Sequence, residues 1–144
     1  MLYLGACHCE AIGFTYETAV APTAWTVRAC GCRFCRCHGA ATTSDPDGAL
    51  QLACRDAGQL IRYRFELRTA DFCLCRTCGV YLAAITADGR FGIINTHALV
   101  DRRLPLPAAQ ERSYGGETAE ARLARRAQRW TPVRASFASH PGPT

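Results

Sequence analysis

Apolar and polar side chains alternate in several short stretches of this chain, and a period of two residues is typical of a β-strand with one buried face. Asp88–Gly89 separates the last two stretches and predicts a hairpin turn between them. From the same periodicity we expect Trp25, Tyr63 and Phe65 to lie in the core. The predicted strands are 11–17 (AIGFTYE), 23–29 (TAWTVRA), 59–66 (QLIRYRFE), 80–86 (VYLAAIT) and 91–95 (FGIIN).

One segment has the properties of a helix. Residues 117–130 (ETAEARLARRAQRW) are rich in strong helix formers, with acidic residues near the start and arginines near the end, where each sign complements the helix dipole. Residues 104–109 (LPLPAA) precede it and predict a connector, because proline does not continue a helix. We therefore predict a mainly β, antiparallel fold with a short C-terminal helix. The β domain is predicted to span residues 1–110, and residues 111–144 to form a helix and tail packed on or extending from the same domain.

Composition and charge place the protein among ordinary globular proteins. It has 144 residues, of which 49% are apolar and 20% charged, and this suits one domain with a real core. A membrane is not an expected partner, because no run of about 20 apolar residues occurs. The N-terminal residues lack a secretory pattern, so the expected location is cytoplasmic. The net charge of +5 comes from arginine, and we interpret its densest cluster as a solvated surface. That cluster comprises Arg122, Arg125, Arg126 and Arg129.

The cysteines are the unusual feature of the composition. Ten of them occur, and an even number in a short sequence is compatible with disulfides, although disulfides need an oxidising compartment. The spacings Cys7-x-Cys9 and Cys30-x-Cys32 favour metal binding instead. Residues two apart in an extended segment project to the same side, where both sulfurs can reach one ion.

Three groups of cysteines are separated along the sequence, and their number limits the metal sites they can form. The groups are Cys7-x-Cys9, then Cys30-x-Cys32-x-x-Cys35, then Cys75-x-x-Cys78-Gly79. Thiolate is a ligand that suits zinc, and structural zinc takes four ligands. The first and last pairs can form a closed four-sulfur site, which leaves the middle group with three ligands and an open position. Alternatively, Cys37, Cys73 or a histidine completes the middle group, and both sites are closed.

The ordered motifs resemble those of a known family. GACHC at 5–9, ACGCRFCRCHGA at 29–40, CRTCG at 75–79 and IIN at 93–95 are similar to motifs of the glutathione-dependent formaldehyde-activating enzymes and the related centromere-protein-V-like proteins. The resemblance covers roughly residues 3–100, and it implies an Mss4-like β fold with two zinc sites. Glu10 departs from the pattern, because the family often has glycine there.

The resemblance also implies roles for individual residues. It assigns Cys7, Cys9, Cys75 and Cys78 to a structural zinc. It assigns a second zinc with an exchangeable position, and the catalytic role, to Cys30, Cys32 and Cys35.

The resemblance implies the activity of a carbon–sulfur lyase, similar to S-(hydroxymethyl)glutathione synthase. Such an enzyme joins a small thiol to an aldehyde or splits their adduct, and in this family the thiol is glutathione and the aldehyde is formaldehyde. Because zinc with three thiolates is a weak Lewis acid, we favour delivery of the thiol as thiolate over activation of the carbonyl. Arg33 and Arg36 lie within the middle motif and are candidates to bind the carboxylates of a glutathione-like ligand.

Other classes of protein are compatible with the same cysteines. With both sites closed, the protein would be a zinc-stapled binding module without turnover. The arginine excess is compatible with a nucleic-acid-binding zinc ribbon, but nucleic acid is not expected, since no basic stripe with exposed aromatic residues is evident. The number of thiols is also compatible with a redox or metal-buffering protein.

Overall fold

The computed structural model describes residues 1–134 and 138–139, and within them strands predominate. The two α-helices of this part are α1 (Arg33–His38) and α2 (Ala119–Arg129). The strands are β1 (Leu2–Ala6), β2 (Ile12–Glu17), β3 (Arg28–Cys30), β4 (Thr42–Thr43), β5 (Ala49–Cys54), β6 (Leu60–Tyr63), β7 (Ala70–Cys75), β8 (Tyr81–Thr86), β9 (Phe91–Asn95), β10 (Gln110–Arg112), β11 (Thr131–Pro132) and β12 (Ala138–Ser139).

The strands form two sheets. One has four strands in the order β1-β2-β5-β12, and the other has the order β10-β3-β4-β9-β8-β7-β6, with β11 paired to β9. Neighbouring strands are antiparallel, except that β10 pairs with β3 and β12 pairs with β5 in parallel. The predicted mainly β fold with a C-terminal helix is confirmed, and the parallel pairs make both sheets mixed. No helix in the described residues is long and apolar enough to span a bilayer.

The two sheets share one main core. Its buried side chains include Phe14 of the smaller sheet and Leu82 and Ile94 of the larger sheet. Trp25 is buried there as predicted, and its ring meets those of Tyr3 and Tyr16 edge-on, with centroid distances of 4.9 and 5.4 Å. Edge-to-face contacts of this kind stabilise a core beyond the area that they bury.

Two of the predicted strands are shorter than expected. In 23–29, a short 3₁₀-helix at Pro22–Ala24 precedes Trp25, and the strand begins only at Arg28. Proline favours the start of such a turn, and the indole N–H of Trp25 donates to the carbonyl of Val20, so tertiary contacts override the alternating pattern. In 59–66 the strand ends at Tyr63. The side chain of Tyr63 is 48% exposed, so the prediction that Tyr63 lies in the core is wrong.

Helix α2 packs against the larger sheet. Thr118 caps its start by accepting a hydrogen bond from the N–H of Ala121 at 3.1 Å, as is typical of a helix N-cap. Trp130, directly after the helix, is buried in a second apolar cluster together with Cys35 and Ile93. Helix α2 and the residue that follows it therefore cover the side of the sheet on which Cys35 lies. The predicted tail lies outside the described residues beyond 134, except for the pair of residues in β12.

Candidate metal centre and the adjoining cavity

Four cysteines from two distant turns meet between the sheets. Cys7 and Cys9 lie in the turn between β1 and β2, whereas Cys75 ends β7 and Cys78 lies in the turn that leads to β8. Their four Sγ atoms all lie within 4.8 Å of one another. We call them the four-cysteine cluster. It links the smaller sheet to the larger one.

The distances in this cluster suit a tetrahedral metal ion. The Sγ of Cys9 is 3.7 Å from that of Cys7 and 3.5 Å from that of Cys75. Four sulfurs at the zinc–sulfur distance of about 2.3 Å would be about 3.8 Å apart, whereas a disulfide needs only about 2.05 Å. All ten cysteines are free thiols in this structure. The donors present therefore fit a bound metal ion and are not joined as disulfides.

The turns that carry these cysteines need an unusual backbone conformation. Gly79, after Cys78, has a φ of +77°, and its N–H donates to the carbonyl of Cys75 at 2.8 Å. Glu10, after Cys9, has a φ of +64°, although it has a side chain. Both positions favour glycine, because left-handed φ values strain an L residue. Glu10 thus occupies a position where glycine would be the unstrained choice.

Replacing Glu10 with glycine is expected to stabilise the fold by about 1 kcal/mol relative to Glu10→Ala, because glycine removes the left-handed strain and alanine keeps it. Both variants lose the ion pair with Arg55, which joins exposed groups at 3.8 Å and contributes little. The free energies of unfolding come from denaturant titration of the two variants side by side. Equal stability of the two variants would show that the turn is unstrained at this position.

Three further cysteines form a second cluster on the larger sheet. Cys30 ends β3, Cys32 caps α1, and Cys35 lies within that helix. Their Sγ atoms also lie within 4.8 Å of one another, and no fourth Cys, His, Asp or Glu of the described residues joins them. Burial raises the pKa of Cys32, although the N–H of Cys35 donates to its Sγ at 3.4 Å and opposes that rise. We call this the three-cysteine cluster.

Each cluster concentrates negative charge on one sulfur. A hydrogen bond from the thiol of Cys35, opposed by burial, lowers the pKa of Cys30 to about 5, and the pKa of Cys35 is raised in turn. In the four-cysteine cluster, burial raises the pKa of Cys7 to about 12. Burial also acts to raise the pKa of Cys78, but backbone N–H groups and neighbouring thiols outweigh it and lower that pKa to about 6. A metal ion must displace the remaining protons, so its affinity should increase with pH.

The three-cysteine cluster faces a cavity of about 320 Å³. This volume lies within the range of small-molecule sites. One wall is formed by the three thiols and another by apolar and aromatic side chains, among them Phe65, Phe72 and Trp130. Tyr81 also lines the cavity, and burial raises its pKa well above the ordinary value, so its phenol stays neutral. An open coordination position at this cluster would therefore face the cavity.

The structure places the other predicted residues away from this cavity. Arg33 and Arg36 are exposed on α1 and do not line it. Cys37 is exposed on the same helix, and Cys73 is buried in β7 with its Sγ 3.8 Å from the carbonyl of Asp71. Neither of these two cysteines joins the three-cysteine cluster. Asn95 has a structural role, because its side chain donates to the carbonyl of Tyr81 and accepts from the N–H of His97.

Other arginines line the cavity instead, three of them from the distant helix α2 and one from two residues before Cys30. They are Arg28, Arg122, Arg125 and Arg126. The interpretation of the C-terminal arginines as a solvated surface is wrong for Arg126, which is 7% exposed, and only Arg129 of that group is fully exposed. Their three- and four-residue spacing on a helix was a usable signal, since such residues share one face. The sequence did not show that this face would meet the thiols.

Comparisons with known proteins support the fold. A crystal structure of a Rhodobacter sphaeroides protein is similar to this chain, with a TM-score of 0.57 and 29% sequence identity. The match covers 76% of this chain and 99% of that one. No protein-family model matches the sequence, and neither does any curated protein. The molecule is thus a mainly β protein with two cysteine clusters that could hold metal ions.

Proposed function

We propose that this protein is a zinc-dependent enzyme of the formaldehyde-activating type, which joins a small thiol to an aldehyde or splits the adduct. The observation that carries the proposal is the difference between the two cysteine clusters. One has four thiols, as a closed structural site requires, and the other has three thiols on the wall of a cavity. Zinc is the proposed metal, because every donor is a cysteine sulfur, and cysteine that loses its proton is a ligand that suits zinc.

The strain at Glu10 is consistent with this assignment. The formaldehyde-activating family, which this sequence resembles, often has glycine at this position, and the backbone there has the left-handed φ that glycine adopts freely. The backbone conformation at residue 10 therefore agrees with the residue that the family often has there. This agreement supports common ancestry and does not depend on the cysteines.

The residues of the protein have separate tasks in the proposed reaction. A zinc ion held by Cys30, Cys32 and Cys35 would supply a fourth position and a positive charge that favours the thiolate form of a thiol. The side chains of the cavity hold the reactants beside the three thiols. In the direction of synthesis, the thiol loses its S–H proton, its sulfur forms a bond to the carbonyl carbon, and the carbonyl electron pair moves to oxygen. That oxygen takes one proton, which balances the proton that the thiol lost. Splitting reverses these changes, so no oxidant or reductant is needed.

The test is the rate at which glutathione and formaldehyde exchange with their adduct, measured by exchange NMR with catalytic amounts of protein. We expect the wild type and Cys37→Ser to accelerate exchange, because Cys37 is exposed and outside both clusters. Cys30→Ser should return exchange to the uncatalysed rate.

Two results would contradict the proposal. If the wild type loaded with two zinc ions does not accelerate exchange, the protein does not catalyse the reaction of glutathione with formaldehyde. A zinc-stapled binding module without turnover is then the better description of the protein. If Cys30→Ser retains full acceleration, the reaction occurs away from the three-cysteine cluster.

A further inference from the structure

Two arginines on the cavity wall are buried without an acidic partner. Arg28 is 9% exposed and Arg126 is 7% exposed, and both line the cavity beside the three-cysteine cluster. Their observed hydrogen bonds go to neutral oxygens. Arg28 Nη2 donates to Ser44 Oγ at 2.5 Å, and Arg126 Nη1 donates to Thr69 Oγ1 at 2.7 Å. Within residues 1–134, no carboxylate lies within ion-pair distance of either guanidinium.

The neighbouring arginines of the cavity differ in this respect. Arg125 donates two hydrogen bonds to the carboxylate of Glu117, at 2.9 and 3.0 Å, and Arg122 donates to the same carboxylate at 3.2 Å. Arg122 also lies 3.9 Å from Glu66. The carboxylates near the cavity are therefore paired with Arg122 and Arg125, and no carboxylate compensates the charges of Arg28 and Arg126.

Each of the two buried guanidinium groups also retains an unused donor. The Nε atoms of Arg28 and Arg126 are fully buried and have no hydrogen-bond partner among the described residues. These Nε atoms are too deeply buried for a molecule in the cavity to reach, but the charge of each guanidinium group is also buried without a carboxylate, which is costly unless a ligand or ion compensates for it. Burial and the neighbouring Arg125 and Arg122 lower the pKa of Arg126 to about 10, so it is still cationic at neutral pH.

The rest of the cavity wall is mainly apolar and aromatic, which indicates the kind of molecule that the cavity suits. Phe72 and Ile93 line the same cavity, and Trp130 stacks on the guanidinium of Arg126 with 4.5 Å between the guanidinium carbon and the ring centroid. Apolar walls with a few convergent polar groups are typical of small-molecule sites. A guanidinium fork fits the paired oxygens of a carboxylate or phosphate.

We propose that Arg28 and Arg126 form an oxyanion-binding subsite, so that the cavity takes a small organic molecule with a carboxylate or phosphate group and an apolar body. As a substrate assignment this rests on the proposed function, which places the reacting groups at the adjacent thiols. The binding of the anion needs no reaction and can be tested separately.

The test uses zinc-loaded full-length protein and three thiol-free probes with the same aromatic body, namely phenylacetate, phenyl phosphate and phenylacetamide. Calorimetry measures affinity, and fluorescence of Trp130 reports occupancy in a Trp25→Phe background, where it is the sole tryptophan. We expect at least one anion to bind roughly tenfold or more tightly than the neutral amide, as a charged hydrogen bond would give. The better of the two anions identifies the head group.

Matched variants locate the binding. Arg126→Met and Arg28→Met should each weaken anion binding roughly tenfold or more, whereas Arg129→Met, at an exposed position on the same helix, should leave it unchanged. Zinc content should be the same in all variants. If an arginine variant does not fold, the comparison of anion with amide in Cys35→Ser, expected to keep the fold but not the metal ion of the three-cysteine cluster, decides the question without coordination to that metal.

Several results would overturn the subsite. They are equal affinity for the anions and the amide, no binding of any probe, and an Arg129→Met variant that weakens anion binding as much as the variants of the buried arginines. Loss of zinc from Arg28→Met or Arg126→Met would also overturn it, because the arginines would then be counter-ions of the cluster. Failure of the subsite leaves the exchange of glutathione and formaldehyde intact. Failure of the proposed reaction leaves anion binding intact, so the two can be distinguished.

Discussion

Replacing Cys75 with serine is expected to abolish cooperative folding at 37 °C, or to lower the free energy of unfolding by several kcal/mol. The four-cysteine cluster joins the β1–β2 turn to the β7–β8 turn, and its sulfurs are the groups that link the two sheets at this end. In small domains the binding free energy of a structural metal contributes directly to folding. The total free energy of unfolding of a domain is about 5–15 kcal/mol, so loss of the metal-binding free energy would remove a large part of it.

The measurement is thermal and denaturant unfolding of Cys75→Ser, and of the wild type treated with a strong chelator. Cys54→Ala is the matched control, since Cys54 is buried in β5 but lies outside both clusters. It should cost only about 1 kcal/mol, as expected for a small cavity. Wild-type stability in the chelator and in Cys75→Ser would mean that the cluster does not stabilise the fold through a metal.

Replacing Cys35 with serine is expected to remove one of two bound metal ions and leave the fold intact. The three-cysteine cluster lies on one sheet and faces a cavity, so its loss breaks no link between the sheets. With two thiolates left, the affinity for a thiophilic metal should fall by orders of magnitude. The structural metal should remain, because its ligands lie in other turns.

Metal content of protein purified without chelator gives this result directly. We expect two equivalents in the wild type and in Cys37→Ser, and one in Cys35→Ser, with the melting temperature of Cys35→Ser much closer to the wild type than that of Cys75→Ser. Two equivalents retained in Cys35→Ser, or one equivalent in the wild type, would show that the three-cysteine cluster does not hold a metal ion.

The positions of the two clusters in the fold suggest different roles, one in stability and one at the cavity. The four-cysteine cluster lies at turns between sheets, where cross-linking has the largest structural effect. The three-cysteine cluster lies where β3 meets α1, and β10 and α2 approach it from the C-terminal part of the sequence. The N–H of Gly31, between two of the cluster's cysteines, donates to the carbonyl of Arg112 in β10 at 2.9 Å. The C-terminal segment therefore completes the cavity that the thiols open onto.

Local patterns in the sequence were sufficient for the elements that depend on short-range physics. Strand β2, the β8–β9 hairpin and α2 follow from residue periodicity, turn residues and helix propensity, each of which acts over a few neighbours. The spacing of Cys7 with Cys9, and of Cys75 with Cys78, likewise defines which sulfurs can share an ion within one turn. At residues 23–29 tertiary contacts shorten the predicted strand, although Trp25 is buried as expected, and the predicted placement of Tyr63 in the core is wrong.

The sequence by itself therefore determined the β-rich class of the fold, the C-terminal helix and the two sets of thiols. Only the tertiary structure decided that Arg126 of α2 meets the thiols of Cys30, Cys32 and Cys35 across one cavity. Of the arginines near these thiols in sequence, Arg28 lines that cavity, whereas Arg33 and Arg36 do not. Arg33 and Arg36 project outward because a six-residue helix turns them away from its buried side, where Cys35 lies. Arg126 reaches the cavity because α2 packs across the larger sheet, and no short-range pattern encodes that contact.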